Sequence, residues 1–272
     1  MKILKIVFAL TLSLTFFPHH SLAAGKDCTL LIDNQTAAII HEDGDCKTRH
    51  GAQSTFKIPL AVMGFDSGIL KDAHNPVWPY NPSYVTNREA ERHETDPTRW
   101  EKESIVWYSQ KLTRSLGAKK FKNYVDQFNY GNRDISGDPG KNNGLTHSWL
   151  SSSLKISPIE QIGFIRALLS RKLGVSKDAY DKTIEIIPVF SAGDWSVHGK
   201  TGTGFEKNAD GTDNRARQQG WFVGWAEKGD RKVIFAKFIQ DSKKEPDYAG
   251  PRTRDAFLKE FPTFINAYDK AQ

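Results

Sequence analysis

Hydrophobic and polar positions change period along the chain. Two strand-like stretches, Cys28 to Asp33 and Ala37 to Glu42, are joined by the polar triplet Asn34-Gln35-Thr36, which predicts a hairpin. The segment from Ser54 to about Phe65 is densely apolar and ends in the turn residues Asp66-Ser67-Gly68. It reads as a buried helix, with Pro59 near its first turn. From about Ala73 to Arg99 the chain is rich in Pro, Asn, Tyr and charge without periodicity, and reads as a long surface excursion. Helical patterns return over Ser104 to Leu116, Ala118 to Phe128, Pro158 to Leu173 and Ser176 to Ile187.

The C-terminal part alternates instead. Ser196 to Phe205, Gly220 to Lys228 and Lys232 to Gln240 predict strands, the last two joined by a Gly229-Asp230 turn. Thr253 to Lys270 predicts a closing amphipathic helix interrupted at Pro262. Strands at both ends with helices between them predict an α+β fold, one antiparallel sheet assembled from both termini and flanked by helices, with an inserted all-helical subdomain. The expected division is a sheet subdomain at about 24–53 plus 190–272, a helical subdomain at about 54–189, and a cleft where they meet.

The N-terminus sits outside this scheme. Lys2 and Lys5 precede an apolar run from Ile6 to Phe17, followed by Ser21-Leu22-Ala23-Ala24, the pattern of a cleaved export signal over 1–23. The run is shorter than the ~20 residues that span a bilayer, so a retained anchor is the weaker reading. Loss of the signal takes the formal charge from +6 to about +4, with the basic residues dispersed, and this does not point to nucleic acid. A periplasm-like destination permits a disulfide between Cys28 and Cys46, the chain's two cysteines, clamping the first hairpin; two free thiols are the alternative.

Candidate chemistry begins at Ser54-Thr55-Phe56-Lys57. Residues three apart share a helix face, so the hydroxyl and the amine can converge. A serine needs a neighbouring base to become a nucleophile, and apolar surroundings push a lysine toward its neutral, basic form. Alone, S-x-x-K equally describes a helix cap followed by a surface lysine. A second candidate is His198-Gly199-Lys200-Thr201-Gly202-Thr203-Gly204, where glycines expose backbone to a ligand beside a cation and a hydroxyl. Read as a phosphate loop it fails, because five residues separate Gly193 from Gly199 where four are needed, and a strand follows. Between the two lie Ser104-Ile105-Val106 and Tyr130-Gly131-Asn132, each uninformative alone.

In order, S-x-x-K, S-x-V, Y-G-N and K-T-G form the motif sequence of penicillin-recognising serine enzymes. Trp149-Leu150-Ser151-Ser152-Ser153-Leu154 and Gly220-Trp221-Phe222-Val223-Gly224-Trp225 fit the same scheme. On these residues the chain resembles the class D β-lactamases along its mature length. The resemblance implies hydrolysis of the β-lactam ring of oxacillin-type and related penicillins, and hence resistance. Ser54 is implied as nucleophile and Lys57, carboxylated on its amine by carbon dioxide, as the general base of both half-reactions. Trp149 is implied to hydrogen-bond that group, Ser104 to relay a proton to the leaving nitrogen, and Val106 to cover the lysine. Tyr130, Asn132, Lys200, Thr201, Gly202 and Thr203 fall to the substrate side, with the N–H groups of Ser54 and Thr203 as an oxyanion hole. The family's carboxylate-binding arginine has an ambiguous counterpart: Arg252, Arg254 or, with no side chain, Gly250. No metal and no cofactor other than carbon dioxide are implied, and the expected partner is the small-molecule substrate, not a membrane, with the mature protein a monomer or homodimer. The alternatives are a penicillin-binding transpeptidase or carboxypeptidase, or a β-lactam sensor that is acylated without turnover.

Overall fold

The computed structural model describes residues 27–84, 86 and 88–271, so the export signal expected over 1–23 lies outside the described residues. The chain opens with β1 (Cys28–Asp33), β2 (Ile39–Gly44) and the short β3 (His50–Gly51), then a 3₁₀ turn at Gln53–Phe56. Four helices follow: α1 (Lys57–Asp66), α2 (Pro97–Glu103), α3 (Val106–Gln127) and α4 (Gly144–His147). After β4 (Lys155–Ile156) come α5 (Pro158–Leu169) and α6 (Lys177–Ile186). The sheet is completed by β5 (Val189–Ala192), β6 (Trp195–Lys207), β7 (Asp213–Lys228) and β8 (Arg231–Gln240), and α7 (Ala249–Lys270) closes the fold.

Among the described residues, six strands form one antiparallel sheet in the order β2-β1-β8-β7-β6-β5. The two ends of the chain meet at the β1–β8 pair, where Leu30 lies opposite Ala236. This is the expected α+β architecture. Alternation along the strands divides the core in two. Leu31, Phe222, Val233 and Phe235 face Phe257 and Phe261 of α7. Leu30, Ile32, Trp221, Val223, Trp225 and Ala236 join the larger core on the opposite face. The Cys28–Cys46 disulfide ties the first strand to the chain beyond β2.

Three differences from the sequence expectations have physical causes. The helix expected from Ser54 begins three residues later, because Gln53 is in the left-handed region (φ 52°) and the chain enters α1 through the 3₁₀ turn. α7 runs continuously through Pro262, which sits at the partly exposed side while Phe261 and Ile265 hold the helix to the sheet. The segment from Ala73 to Arg99 runs mostly over the surface, as expected, but it is pinned to the core at a few points. Its aromatic side chains pack on the start of α3, Tyr84 on Trp107 and Trp78 on Tyr108 with ring centroids 5.2 and 4.4 Å apart, and Thr95 is fully buried. α2 and α4 had no periodic signal because each is under two or so turns long.

The boundary between sheet and helices is also less clean than expected. α1, α3, α4 and α6 pack on one another, but α5 lies against β8, β1 and β7 and covers the sheet face opposite α7. Among the described residues no helix is long and apolar enough to cross a membrane.

Candidate active site

The left-handed Gln53 is fixed from three sides. Its N–H donates to the Trp149 carbonyl (2.8 Å), and its amide donates to Ser151 Oγ (2.7 Å), which also accepts from the Phe205 N–H (3.1 Å). One turn of chain is thereby stitched both to the tryptophan loop and to β6. Ser54 follows, with its Oγ 3.2 Å from Lys57 Nζ. α1 is buried all round from Lys57 to Phe65, so the amine is withdrawn from bulk water. Burial lowers the Lys57 pKa to about 7; the Lys200 cation adds to this and the Glu101 and Glu91 carboxyls oppose it. Rings of Phe56, Phe121, Tyr130 and Trp149 pack together beside α1 with centroids 5.2 to 6.3 Å apart.

Ser104 ends α2 in the left-handed conformation (φ 59°, ψ 42°), a strained setting for a serine that projects its side chain toward β6. Lys200 Nζ donates to Ser104 Oγ (2.9 Å) and to the Thr201 carbonyl (3.2 Å). Lys200 is 2% exposed, and burial lowers its pKa to about 8. Ser54 with Lys57 and Ser104 with Lys200 thus form two hydroxyl–amine pairs, each with an amine that burial lowers toward neutrality, the condition for moving a proton both ways. Trp149 is fully buried with no hydrogen-bond partner for its indole N–H among the described residues.

A cavity of about 310 Å³ opens onto the two serines. Ser54, Ser104, Val106, Thr201 and Thr203, all singled out from the sequence, line it. β5 pairs with β6 only as far as His198, so among the described residues no strand covers the β6 edge from Lys200 to Thr203, and the backbone there is open to an extended ligand. Thr86, Arg88, Glu91, Phe205, Tyr248 and Pro251 also line the cavity and were missed. Arg88 pairs with Glu91 (2.5 Å) and donates to the Glu103 and Ser104 carbonyls (3.0 and 3.2 Å), bracing the Ser104 turn. The i, i+3 spacing of Arg88 and Glu91 was the one signal available for them.

Other expected residues sit elsewhere. Tyr130 is buried, its hydroxyl toward Gln161, and Asn132 holds β4: it accepts from the Lys155 N–H (3.0 Å) and donates to the Ser153 carbonyl (2.8 Å). Neither lines the cavity, because Gly131, with φ 55°, turns the chain against the Lys155 carbonyl. Arg252 is also turned away, its guanidinium on the Asp241 carboxylate at 2.5 Å. Gly250 faces β6, its N–H donating to Thr203 Oγ1 (2.9 Å), and a Cβ there would meet that oxygen at 2.6 Å. A larger hollow of about 420 Å³ lies between the β5–β6 turn and α7, but its charges pair as Lys228 with Asp194 and Arg231 with Asp269, and it contains no nucleophile.

Comparison with known proteins places this arrangement. The penicillin-binding protein transpeptidase domain matches residues 28–262. β-Lactamase OXA-9 of Klebsiella pneumoniae is 45% identical over 240 residues, 88% of each chain. β-Lactamase OXA-1 of Escherichia coli is 40% identical over 218 residues, covering 79% of this chain and 76% of the relative. The crystal structure of the class D β-lactamase OXA-427 superposes with a TM-score of 0.83 at 43% identity, over 89% of this chain and 99% of that one. The chain belongs to the class D β-lactamases.

In this class D β-lactamase the serine–lysine pair and K-T-G come from different elements, and the Gln53–Ser151–Phe205 contacts hold them to one another. Among the described residues, no three His, Cys, Asp or Glu side chains group as a metal site.

Proposed function

We propose that the protein hydrolyses the β-lactam ring of oxacillin-type and related penicillins through an acyl-enzyme on Ser54, and so confers resistance. The observation that carries this reading is the 3.2 Å approach of Ser54 Oγ to a wholly buried Lys57 amine whose pKa is lowered to about 7. Carbon dioxide reacts with uncharged amines, which burial makes of Lys57 near neutral pH. The unpartnered Trp149 N–H supports the same reading, since a carboxylated Lys57 offers the acceptor that this buried donor lacks. Carboxylation supplies a base strong enough to take the Ser54 proton in acylation and a water proton in deacylation. Ser104, bonded to Lys200, is placed to pass a proton to the departing lactam nitrogen. Backbone N–H groups of Ser54 and Thr203 receive the developing oxyanion, where loss of one donor costs about 3 kcal/mol. The Thr201 and Thr203 hydroxyls in the cavity wall meet the substrate carboxylate, with Lys200 behind them.

Export to the periplasm after cleavage at Ala23 completes the reading. The mature enzyme is expected to turn over benzylpenicillin and oxacillin, followed by loss of lactam absorbance. An adduct that persists instead of clearing within seconds would mark a transpeptidase or a sensor and overturn the hydrolase reading.

A further inference from the structure

Glu101 is fully buried on α2, and neither carboxyl oxygen has a hydrogen-bond partner among the described residues. An ionised carboxyl without partners is among the costliest groups a fold can bury. α2 cannot turn it out to water. Asp96 caps the helix by accepting from the Arg99 N–H (2.7 Å), the fully buried Trp100 donates to Ser109 Oγ (2.9 Å), and Arg88 grips the far end through the Glu103 and Ser104 carbonyls. Glu101 stands three residues before Ser104, whose hydroxyl holds Lys200 Nζ at 2.9 Å. The charges that act on Glu101 are Lys200 and Lys57. Those acting on the two lysines from other elements are Glu91, Arg88 and Arg254.

We propose that Glu101 is a positioning residue of the catalytic pocket, a buried carboxyl that shares one proton with the lysine pair and thereby sets how much of Lys57 is uncharged amine. With Glu101 ionised, its field holds Lys57 as ammonium; with Glu101 protonated, the amine form of Lys57 is favoured. The consequence for carbon dioxide uptake rests on the carboxylated-lysine reading above. There the Lys57 lone pair bonds to the carbon of carbon dioxide, one C=O pair moves onto oxygen, and the N–H proton leaves. An ionised Glu101 takes that proton, which avoids two anions in one dry pocket; when Glu101 is already neutral, water takes it. Because ionised Glu101 holds Lys57 as ammonium, less of it is free amine able to react, and uptake is weaker than it would be in a pocket without the carboxyl.

The test is a pH titration of Lys57 by NMR in enzyme labelled with [13C]lysine, in buffer free of carbon dioxide, with the signal assigned by its loss in Lys57→Arg. Glu101→Gln is expected to move the Lys57 titration down by about one unit, roughly a tenfold gain in amine at pH values below it. With added [13C]bicarbonate, the same variant is expected to reach half occupancy at roughly tenfold lower bicarbonate near pH 6.5. An unchanged Lys57 titration overturns the proposal, whatever happens to the melting temperature. A shifted titration with no lysine-bound carbon signal in either enzyme removes the carboxylated lysine and leaves the shared proton standing. If the Gln variant does not fold, Glu101→Met, also uncharged, carries the same titration and the same expected downward shift.

Discussion

Ser54 and Lys57 are three residues apart in sequence and 3.2 Å apart at their reactive atoms, and what separates them from a helix cap and a surface lysine is burial alone. Ser54→Ala is expected to abolish turnover, and Lys57→Ala to leave a covalent penicilloyl adduct that mass spectrometry detects on the intact protein. The pH dependence follows from the same burial. Lys57 loses its proton near pH 7, so kcat/KM at fixed bicarbonate is expected to fall about tenfold per unit below that value. For stability the sign is the ordinary one for a depressed lysine: the unfolded chain binds the extra proton between about 7 and the ordinary lysine value of 10.5, so this residue's contribution rises with pH across that window. An acid limb that midpoints several units lower would show that the amine is not the titrating group. The pair was legible because spacing alone puts it on one face. Arg88, Glu91 and Glu101 were not, because a charged residue in an aperiodic stretch or a helix of under two turns looks like solvent-exposed chain until its partners are known.

Elements show where motif and site part company. The Y-G-N segment was expected on the substrate side, and the structure uses it to staple β4 to the tryptophan loop through Asn132. Asn132→Ala leaves the Lys155 N–H and the Ser153 carbonyl without that partner, and is expected to lower stability by about 2 kcal/mol. Chemical denaturation measures this, and a large rise in KM at unchanged stability would restore the substrate role. Strands were read well because their alternation was strong, the β7–β8 hairpin with its Gly229-Asp230 turn most of all. β7 begins seven residues before its expected start, since the polar run Asp213 to Gln219 pairs across to β6 through backbone that side-chain patterning cannot report. The start of α2 could have been found from Asp96-Pro97, a cap followed by proline at the first helical position.

At the scale of the whole molecule, the sheet joins both ends of the chain, and the Cys28–Cys46 bridge, 18 residues apart in sequence, fastens the edge that carries β1 and β2. Its reduction is expected to cost about 3 kcal/mol in the chain-entropy account, read as a lower melting temperature with dithiothreitol; no change would mean that the hairpin is held by its strand pairing alone. The packing of α5 on β8, β1 and β7 was not legible in the sequence, because its apolar face reports that it is buried but not on which partner. Lys200 has a further consequence, because it points inward and spends its hydrogen bonds on Ser104 and Thr201. An arriving anion meets threonine hydroxyls before it meets the Lys200 charge, and a charge so enclosed is poorly reached by dissolved ions. Raising sodium chloride well past physiological ionic strength is therefore expected to change KM for benzylpenicillin by less than about twofold, whereas capture by exposed cations would weaken steeply in brine.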